Sequence, residues 1–157
     1  KIISSMNSHL AQDVLQTGKF MTLFFLSIDP DKKCVSWVRA GHDPAILYDP
    51  NKDEFDELVG NGVALGVINE VNYVENHKDG LANGQILAIG TDGIWEAINR
   101  QEEMFGKERL RSVMRKYCHE SASSILSAVY DELNMFTLGQ RPEDDITLVI
   151  IKVDGLD

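Results

Sequence analysis

Short turn sequences between apolar, β-forming segments restrict the fold more than any other feature of this sequence. The segment 20–28 is rich in β-forming residues and ends at an Asp-Pro-Asp turn sequence, 29–31. A second such segment, 34–38, follows within hairpin reach, so we expect the two to pair as antiparallel strands. The most apolar segment, 84–90, is expected to be a central strand. Hairpin-linked strands of this kind argue against alternating strand–helix–strand units.

Helical patterns occur at the start and in the last third of the chain. Apolar residues at helical spacing (Ile3, Met6, Leu10 and Val14) predict a first helix that stops at Gly18. The other predicted elements are short strands at 45–48 and 55–58, a polar strand at 71–74, a short helix at 94–99, a helix after Gly106, a helix from an N-cap at Ser121 to Gly139, and a closing strand at 146–153. Clustered helices beside hairpin-linked strands predict an α+β layered domain.

The length and charge of the chain exclude several classes of protein. Its 157 residues predict a single domain spanning 1–157. A net charge of −10 is unsuited to binding nucleic acid or an anionic membrane surface, and no apolar run approaches the ~20 residues of a membrane span. Because the chain opens with Lys1 inside a helical pattern that lacks a capping sequence, we expect it to be a piece of a longer protein.

The two cysteines indicate a reducing environment. Cys34 and Cys118 lie far apart, in neither a metal-binding nor a redox-active spacing. We therefore expect two ordinary thiols in a cytoplasmic protein.

Aspartates at two predicted strand ends are the strongest candidates for chemistry. Asp92 follows the most apolar strand, with Gly93 behind it to allow a sharp turn, and Asp144 and Asp145 come immediately before the closing strand. Carboxylates held close together either raise a pKa or take a divalent cation, and hard oxygen ligands without a Cys or His cluster suit Mg²⁺ or Mn²⁺. Equally, Asp92 could cap the following helix and Asp144 could end a turn.

Two other features are weaker candidates. The glycines at 60, 62 and 66 are similar to a dinucleotide-binding loop, but their spacing is one residue too long and a strand is predicted to follow. His42 could act as a general acid at a metal site, although we favour a role in fixing a turn by hydrogen bonds.

Six phrases occur in an order that is characteristic of one family. They are FMTLF at 20–24, AGHDP at 40–44, LG at 65–66, TDGIWEA at 91–97, FG and RL within 105–110, and DDITL at 144–148. Together they closely resemble the C-terminal part of the PP2C-like SpoIIE/RsbU phosphatase domain, a bacterial metal-dependent serine/threonine phosphatase family. The resemblance extends over nearly the whole chain.

This resemblance implies a fold, an activity and a metal site. The fold would be an αββα sandwich of two antiparallel sheets flanked by helices, lacking its first segment. The activity would be hydrolysis of a phosphoserine or phosphothreonine by water activated at a binuclear Mn²⁺ or Mg²⁺ centre. Asp92 and Asp144 match two of the family's metal-binding aspartates, and Asp145 occupies the supporting position beside them. The implied partner is a phosphorylated, STAS-type anti-sigma-factor antagonist or a similar signalling protein, with a sensor or receiver domain upstream.

Two departures from the family pattern leave alternatives open. The Gly-Gly-Asp and Gly-Asp-Val phrases that carry further metal-binding aspartates are absent, and Asp43 replaces the usual Asn after Gly-His. The missing phrases lie upstream of Lys1, or the domain is degenerate and serves as a regulatory module that binds a partner without catalysis. A nucleotide-binding enzyme that uses the glycine loop is a third, more distant interpretation.

Overall fold

The protein has three α-helices and seven β-strands in the residues that the structure, a computed structural model, describes: 1–14, 16–140 and 144–156. The helices are α1 (Ile2–Val14), α2 (Gly106–Lys116) and α3 (Ala122–Thr137). The strands are β1 (Leu23–Asp29), β2 (Cys34–Ala40), β3 (Ala45–Asp49), β4 (Glu54–Leu58), β5 (Asn76–Asp79), β6 (Ile86–Gly90) and β7 (Leu148–Lys152). They form a three-stranded and a four-stranded sheet, so the predicted α+β class is confirmed.

The first of two compact units, residues 1–44 and 58–81, contains α1 and a sheet in the order β1–β2–β5. β1 and β2 form the predicted antiparallel hairpin, in which Asp29 lies opposite Cys34. β5 pairs with the other edge of β2, also antiparallel. One face of α1 is buried. The core cluster of this unit consists of Ile3, Ala40, Leu65 and Tyr73.

The second unit, residues 45–57 and 82–157, contains a sheet in the order β4–β3–β6–β7 together with α2 and α3. β6 lies between β3 and β7, which confirms the prediction that the most apolar segment is an interior strand. α3 begins at the predicted N-cap, where the Ser121 hydroxyl accepts a hydrogen bond from the Ser124 amide. The hydrophobic core of the second unit is formed by residues of β3, β6, α2, α3 and the 94–105 segment. No helix in the described part of the chain is both long and apolar enough to cross a bilayer.

Two predicted elements are wrong, because backbone groups in these segments hydrogen-bond to other parts of the chain. The segment 94–99 forms turns, because the amides of Phe105 and Gly106 bond back to the carbonyls of Ala97 and Trp95, at 2.8 and 2.9 Å. The segment 71–74 is not a strand, since the Tyr73 amide bonds to the Ser4 hydroxyl of α1. The strand of this region, β5, begins two residues later at Asn76.

Candidate active site

The ends of β6 and β7 bring the predicted aspartates to one edge of the four-stranded sheet. The antiparallel register ends with Gly90 opposite Leu148. One residue further out, the Thr91 amide donates to the Thr147 carbonyl at 3.0 Å, and the Thr147 amide donates to the Thr91 hydroxyl at 3.0 Å. Asp92 follows directly after this pair and Asp144 lies just before it, so strand pairing places both at the same sheet edge.

Gly93 allows the two chain segments to approach each other closely. A Cβ atom on Gly93 would lie 2.6 Å from the Asp145 carbonyl oxygen and 3.4 Å from that of Asp144. The φ angle of Gly93 is not among the positive values in this structure. The backbone does turn here, since the Ile94 amide donates to the Thr91 carbonyl at 3.2 Å, but the turn does not use a positive φ. Glycine is required instead because the contact between two backbones excludes a side chain.

Asp92 and Asp144 are exposed, and among the described residues each carboxylate accepts a hydrogen bond from the amide of the next residue. Asp92 Oδ1 accepts from the Gly93 amide at 3.1 Å, and Asp144 Oδ1 accepts from the Asp145 amide at 2.7 Å. No lysine or arginine in the described residues forms an ion pair with Asp92, Asp144 or Asp145. Asp92 does not cap a helix, since turns follow it. Two exposed carboxylates, which no cation among the described residues neutralises, therefore lie at one sheet edge.

A cleft of about 750 Å³ adjoins this edge. Asp144 and Gly93 belong to its lining, and so do residues from the end of α3 and from the turns after β6. Its lining residues are Gly93, Glu96, Ala97, Ile98, Met104, Leu133, Asn134, Thr137, Gln140, Asp144 and Ile146. Sequence reasoning missed the cleft because its walls come from segments distant in the chain, from Gly93 to Ile146, with no local pattern in common.

Comparison with known proteins decides the family. The family model of Stage II sporulation protein E (SpoIIE) matches residues 1–154. The chain belongs to the SpoIIE family. The phosphoserine phosphatase RsbU of Bacillus subtilis is 25% identical to it over 153 residues, covering 97% of this chain and 44% of RsbU. Protein IcfG of Synechocystis is 27% identical over 146 residues, covering 92% of this chain and 22% of IcfG. The SpoIIE-family chain thus spans less than half the length of these curated relatives.

Solved structures confirm the PP2C-like fold. The PP2C domain of SiaA from Pseudomonas aeruginosa has a TM-score of 0.84 at 19% identity, covering 98% of this chain and 60% of that one. The phosphatase domain of SpoIIE from Bacillus subtilis has a TM-score of 0.65 at 20% identity, covering 96% and 67%. At these identities the likeness establishes only the fold of the SpoIIE-family chain. Its chemistry has to be argued from the residues of the site.

The donor set at the sheet edge fits a hard divalent cation but supplies only part of its coordination shell. Carboxylate oxygens suit Mg²⁺ or Mn²⁺, which take about six oxygen ligands. In the described residues, these aspartates do not form a cluster of three side chains whose ligand atoms all lie within 4.8 Å of one another. Asp92 and Asp144 could therefore hold one side of an ion, with water or further ligands on the other. Their assignment as metal ligands stays a prediction.

The two weaker candidates have structural roles in the first unit. The ring of His42 hydrogen-bonds through Nδ1 to the Asp43 carbonyl at 2.9 Å, and the His42 carbonyl accepts from Arg39, as expected of a residue that fixes a turn. No helix follows the glycine segment, which argues against a dinucleotide-binding loop. Gly62 is required because a Cβ there would lie 2.3 Å from the Arg39 carbonyl oxygen.

Proposed function

We propose that residues 1–157 act as one metal-dependent protein serine/threonine phosphatase domain that hydrolyses a phosphoserine or phosphothreonine. The observation that carries this proposal is the pairing of β6 and β7, which brings the exposed Asp92 and Asp144 to one sheet edge of a SpoIIE-family chain. The name of RsbU, a phosphoserine phosphatase, supports the same reaction class.

In this proposal the residues of the chain hold the metal and position the substrate. Asp92 and Asp144 bind Mn²⁺ or Mg²⁺, and the Thr91–Thr147 hydrogen bonds and the close approach at Gly93 fix the backbone on which both carboxylates stand. A binuclear centre would supply a metal-bound water of lowered pKa as nucleophile and would screen the charge of the phosphate. Such screening matters because a chain of net charge −10 repels a phosphate dianion.

The proposed substrate is a phosphorylated signalling protein, such as an STAS-type anti-sigma-factor antagonist. The cleft beside Asp144 has apolar walls from Ile98, Met104 and Leu133 and polar groups from Asn134 and Thr137. Walls of this mixed character suit the residues on either side of a phosphorylated serine in a protein. A cytoplasmic location, with a sensor or receiver domain upstream, belongs to the same proposal, and the two free, buried thiols are consistent with a reducing compartment.

A non-catalytic regulatory module is the second candidate. One observation favours it: the described residues supply only part of a metal shell at the sheet edge. Such a module would use the same cleft to bind a partner and would hydrolyse nothing.

Substitution of the two aspartates distinguishes these candidates. In the full-length protein, we expect Asp92→Asn and Asp144→Asn each to abolish most Mn²⁺-dependent hydrolysis of a phosphoserine protein or p-nitrophenyl phosphate. Melting temperatures without metal should stay near that of the wild type, because both carboxylates are exposed and the Asn oxygen can accept the same backbone hydrogen bond.

Asp154→Asn is the matched control. Asp154 Oδ1 accepts a hydrogen bond from the Gly155 amide at 2.9 Å, as Asp92 does from Gly93, but it lies beyond the opposite end of β7. This variant should keep full activity. Full activity in Asp92→Asn would overturn the assignment of this residue as a metal ligand. A full-length wild-type protein that shows no Mn²⁺-dependent hydrolysis would instead favour the regulatory module.

A further inference from the structure

Three side chains of the three-stranded sheet form a second, chemically different cluster. Cys34 on β2 lies directly opposite Asp79 on β5, and Ser36 lies opposite His77. Residues two apart on a strand, and residues opposite each other on paired strands, share a face of the sheet. The side chains of Cys34, His77 and Asp79 therefore lie close together. One potential ligand atom from each lies within 4.8 Å of the other two.

The chemistry of this cluster differs from that of the aspartates at the other sheet. A thiolate sulfur and an imidazole nitrogen are ligands of Zn²⁺ and related transition metals, whereas Mg²⁺ and Mn²⁺ prefer oxygen. Three protein ligands with a water in the fourth position is a common arrangement for Zn²⁺. We propose that Cys34, His77 and Asp79 form a binding site for a Zn²⁺-class divalent cation. This site is independent of the proposed phosphatase function.

The surroundings of the cluster favour metal binding. Cys34 is only 5% exposed, and it comes from a strand paired on both sides, so its sulfur is held in place. The side chains of His77 and Asp79 are exposed, which leaves an entry path for an ion. The Ser36 hydroxyl lies 3.5 Å from His77 Nδ1, where it can orient the ring and leave Nε2 for the metal. The net charge of −10 attracts cations.

Metal binding requires one small rearrangement. His77 Nε2 and Asp79 Oδ1 are hydrogen-bonded at 2.7 Å, and an ion would insert between these two atoms. With bonds of about 2.0 Å to nitrogen or oxygen and about 2.3 Å to sulfur, a tetrahedral ion needs them to separate slightly. β5 is an edge strand and both side chains are exposed, so they can move without disturbing the core. The spacing of the cysteines in the sequence predicts two ordinary thiols. It does not reveal this cluster, because only the pairing of β2 with β5 brings Cys34 to His77 and Asp79.

Cobalt substitution tests the site, because Co²⁺ bound to a thiolate gives a sulfur-to-metal charge-transfer band in the near ultraviolet. We expect the reduced wild-type protein to show this band with Co²⁺, and Zn²⁺ but not Mn²⁺ to abolish it. His77→Gln and Asp79→Asn should each weaken Zn²⁺ binding at least about tenfold in calorimetry. Cys34→Ser should remove the band. A wild-type protein without a charge-transfer band would overturn the proposal.

Matched control variants test whether the second cysteine or a histidine beside it contributes to metal binding. Cys118 is the second buried cysteine, and His119 is an exposed histidine next to it. Cys118→Ser and His119→Gln should bind Co²⁺ and Zn²⁺ as the wild type does. If Cys34→Ser folds poorly, the exposed His77→Gln and Asp79→Asn variants still decide the matter, because neither side chain belongs to the core. Unchanged Zn²⁺ affinity in both variants would also overturn the site.

Discussion

Thr91 and Thr147 are joined by hydrogen bonds through both the backbone and the side chain of Thr91. The Thr91 amide donates to the Thr147 carbonyl, and the Thr91 hydroxyl accepts from the Thr147 amide, each at 3.0 Å. The same hydroxyl donates to the Asp145 carbonyl at 2.9 Å. One side chain thus connects the segment that carries Asp92 to the segment that carries Asp144.

Thr91→Val removes this connection with little change of shape. We expect the free energy of unfolding to fall by about 1 kcal/mol, as for a typical lost hydrogen bond. If the aspartates bind the catalytic metal, Mn²⁺-dependent phosphatase activity should fall more steeply, by roughly tenfold, because a displaced group loses catalytic alignment. Thr91→Ser keeps the hydroxyl and should retain both stability and activity. Equal behaviour of the two variants in urea unfolding and in the activity assay would contradict the role given to the hydroxyl.

Gly93→Ala places a Cβ atom 2.6 Å from the fixed carbonyl oxygen of Asp145. Because backbone must shift, we expect a loss of stability of about 1–3 kcal/mol, as for other overpacked sites. Gly90→Ala is the matched comparison, since its Cβ would lie 2.8 Å from the end of the Ile94 side chain, and its nearest neighbours are side-chain atoms and not backbone. Thermal unfolding should show the larger loss for Gly93→Ala. A larger loss for Gly90→Ala would show that the close approach of the two backbones at Gly93 does not determine the cost of adding a side chain there.

Asp49 should make stability depend on pH in the acid range. Burial raises the pKa of this carboxyl, but hydrogen bonds from Gln85 and Asn51 and the charge of Lys52 outweigh burial and leave the pKa below its usual value of 3.8. The Gln85 and Asn51 bonds are both 3.0 Å long. Because the folded-state pKa is the lower one, the stabilisation is complete above the unfolded value and is lost as pH falls through the folded value.

Asp49→Asn should therefore cost about 1–2 kcal/mol at neutral pH and progressively less in strong acid. The amide nitrogen of Asn would face either the Gln85 amide or the Asn51 backbone amide, so one of the two hydrogen bonds is lost. Gln85 cannot simply flip to compensate, since its Oε1 accepts from the Ala82 amide. Urea unfolding at a series of pH values measures this difference. Asp131→Asn, at an exposed position of α3, is the surface control and should change stability little at neutral pH. A cost for Asp49→Asn that stays constant into strong acid would contradict the lowered pKa.

Leu138 ends α3 in a left-handed conformation, with φ of 52°. A side chain is strained there, and Leu138 is 60% exposed and contributes little packing. We expect Leu138→Gly to raise the free energy of unfolding by up to about 1 kcal/mol, since glycine is the preferred residue at this position. Met135→Gly, one turn earlier and 72% exposed, should instead lower it by about 1 kcal/mol. Chemical denaturation of both variants tests this opposition of sign, and loss of stability in both would disprove it.

Most of the fold could be predicted from local sequence patterns. The α1 helix, the β1–β2 hairpin, the interior position of β6 and the N-cap at Ser121 each follow from spacing, turn residues or capping within a short window. The failures at 71–74 and 94–99 have a common cause. In both segments backbone groups hydrogen-bond to a residue distant in the chain or to a returning turn, and local propensity does not encode such bonds.

The sequence by itself determined the element types and which aspartates end strands, because period, turn chemistry and strand length are local properties. It also carried the family: the six phrases between 20 and 148 resemble it, and the SpoIIE family model matches residues 1–154. Tertiary structure alone decided that Gly93 serves a backbone contact and that Cys34 meets His77 and Asp79. These relationships arise from strand register and from the approach of separate segments. A shift of one residue in either pairing would turn the same side chains to the opposite face.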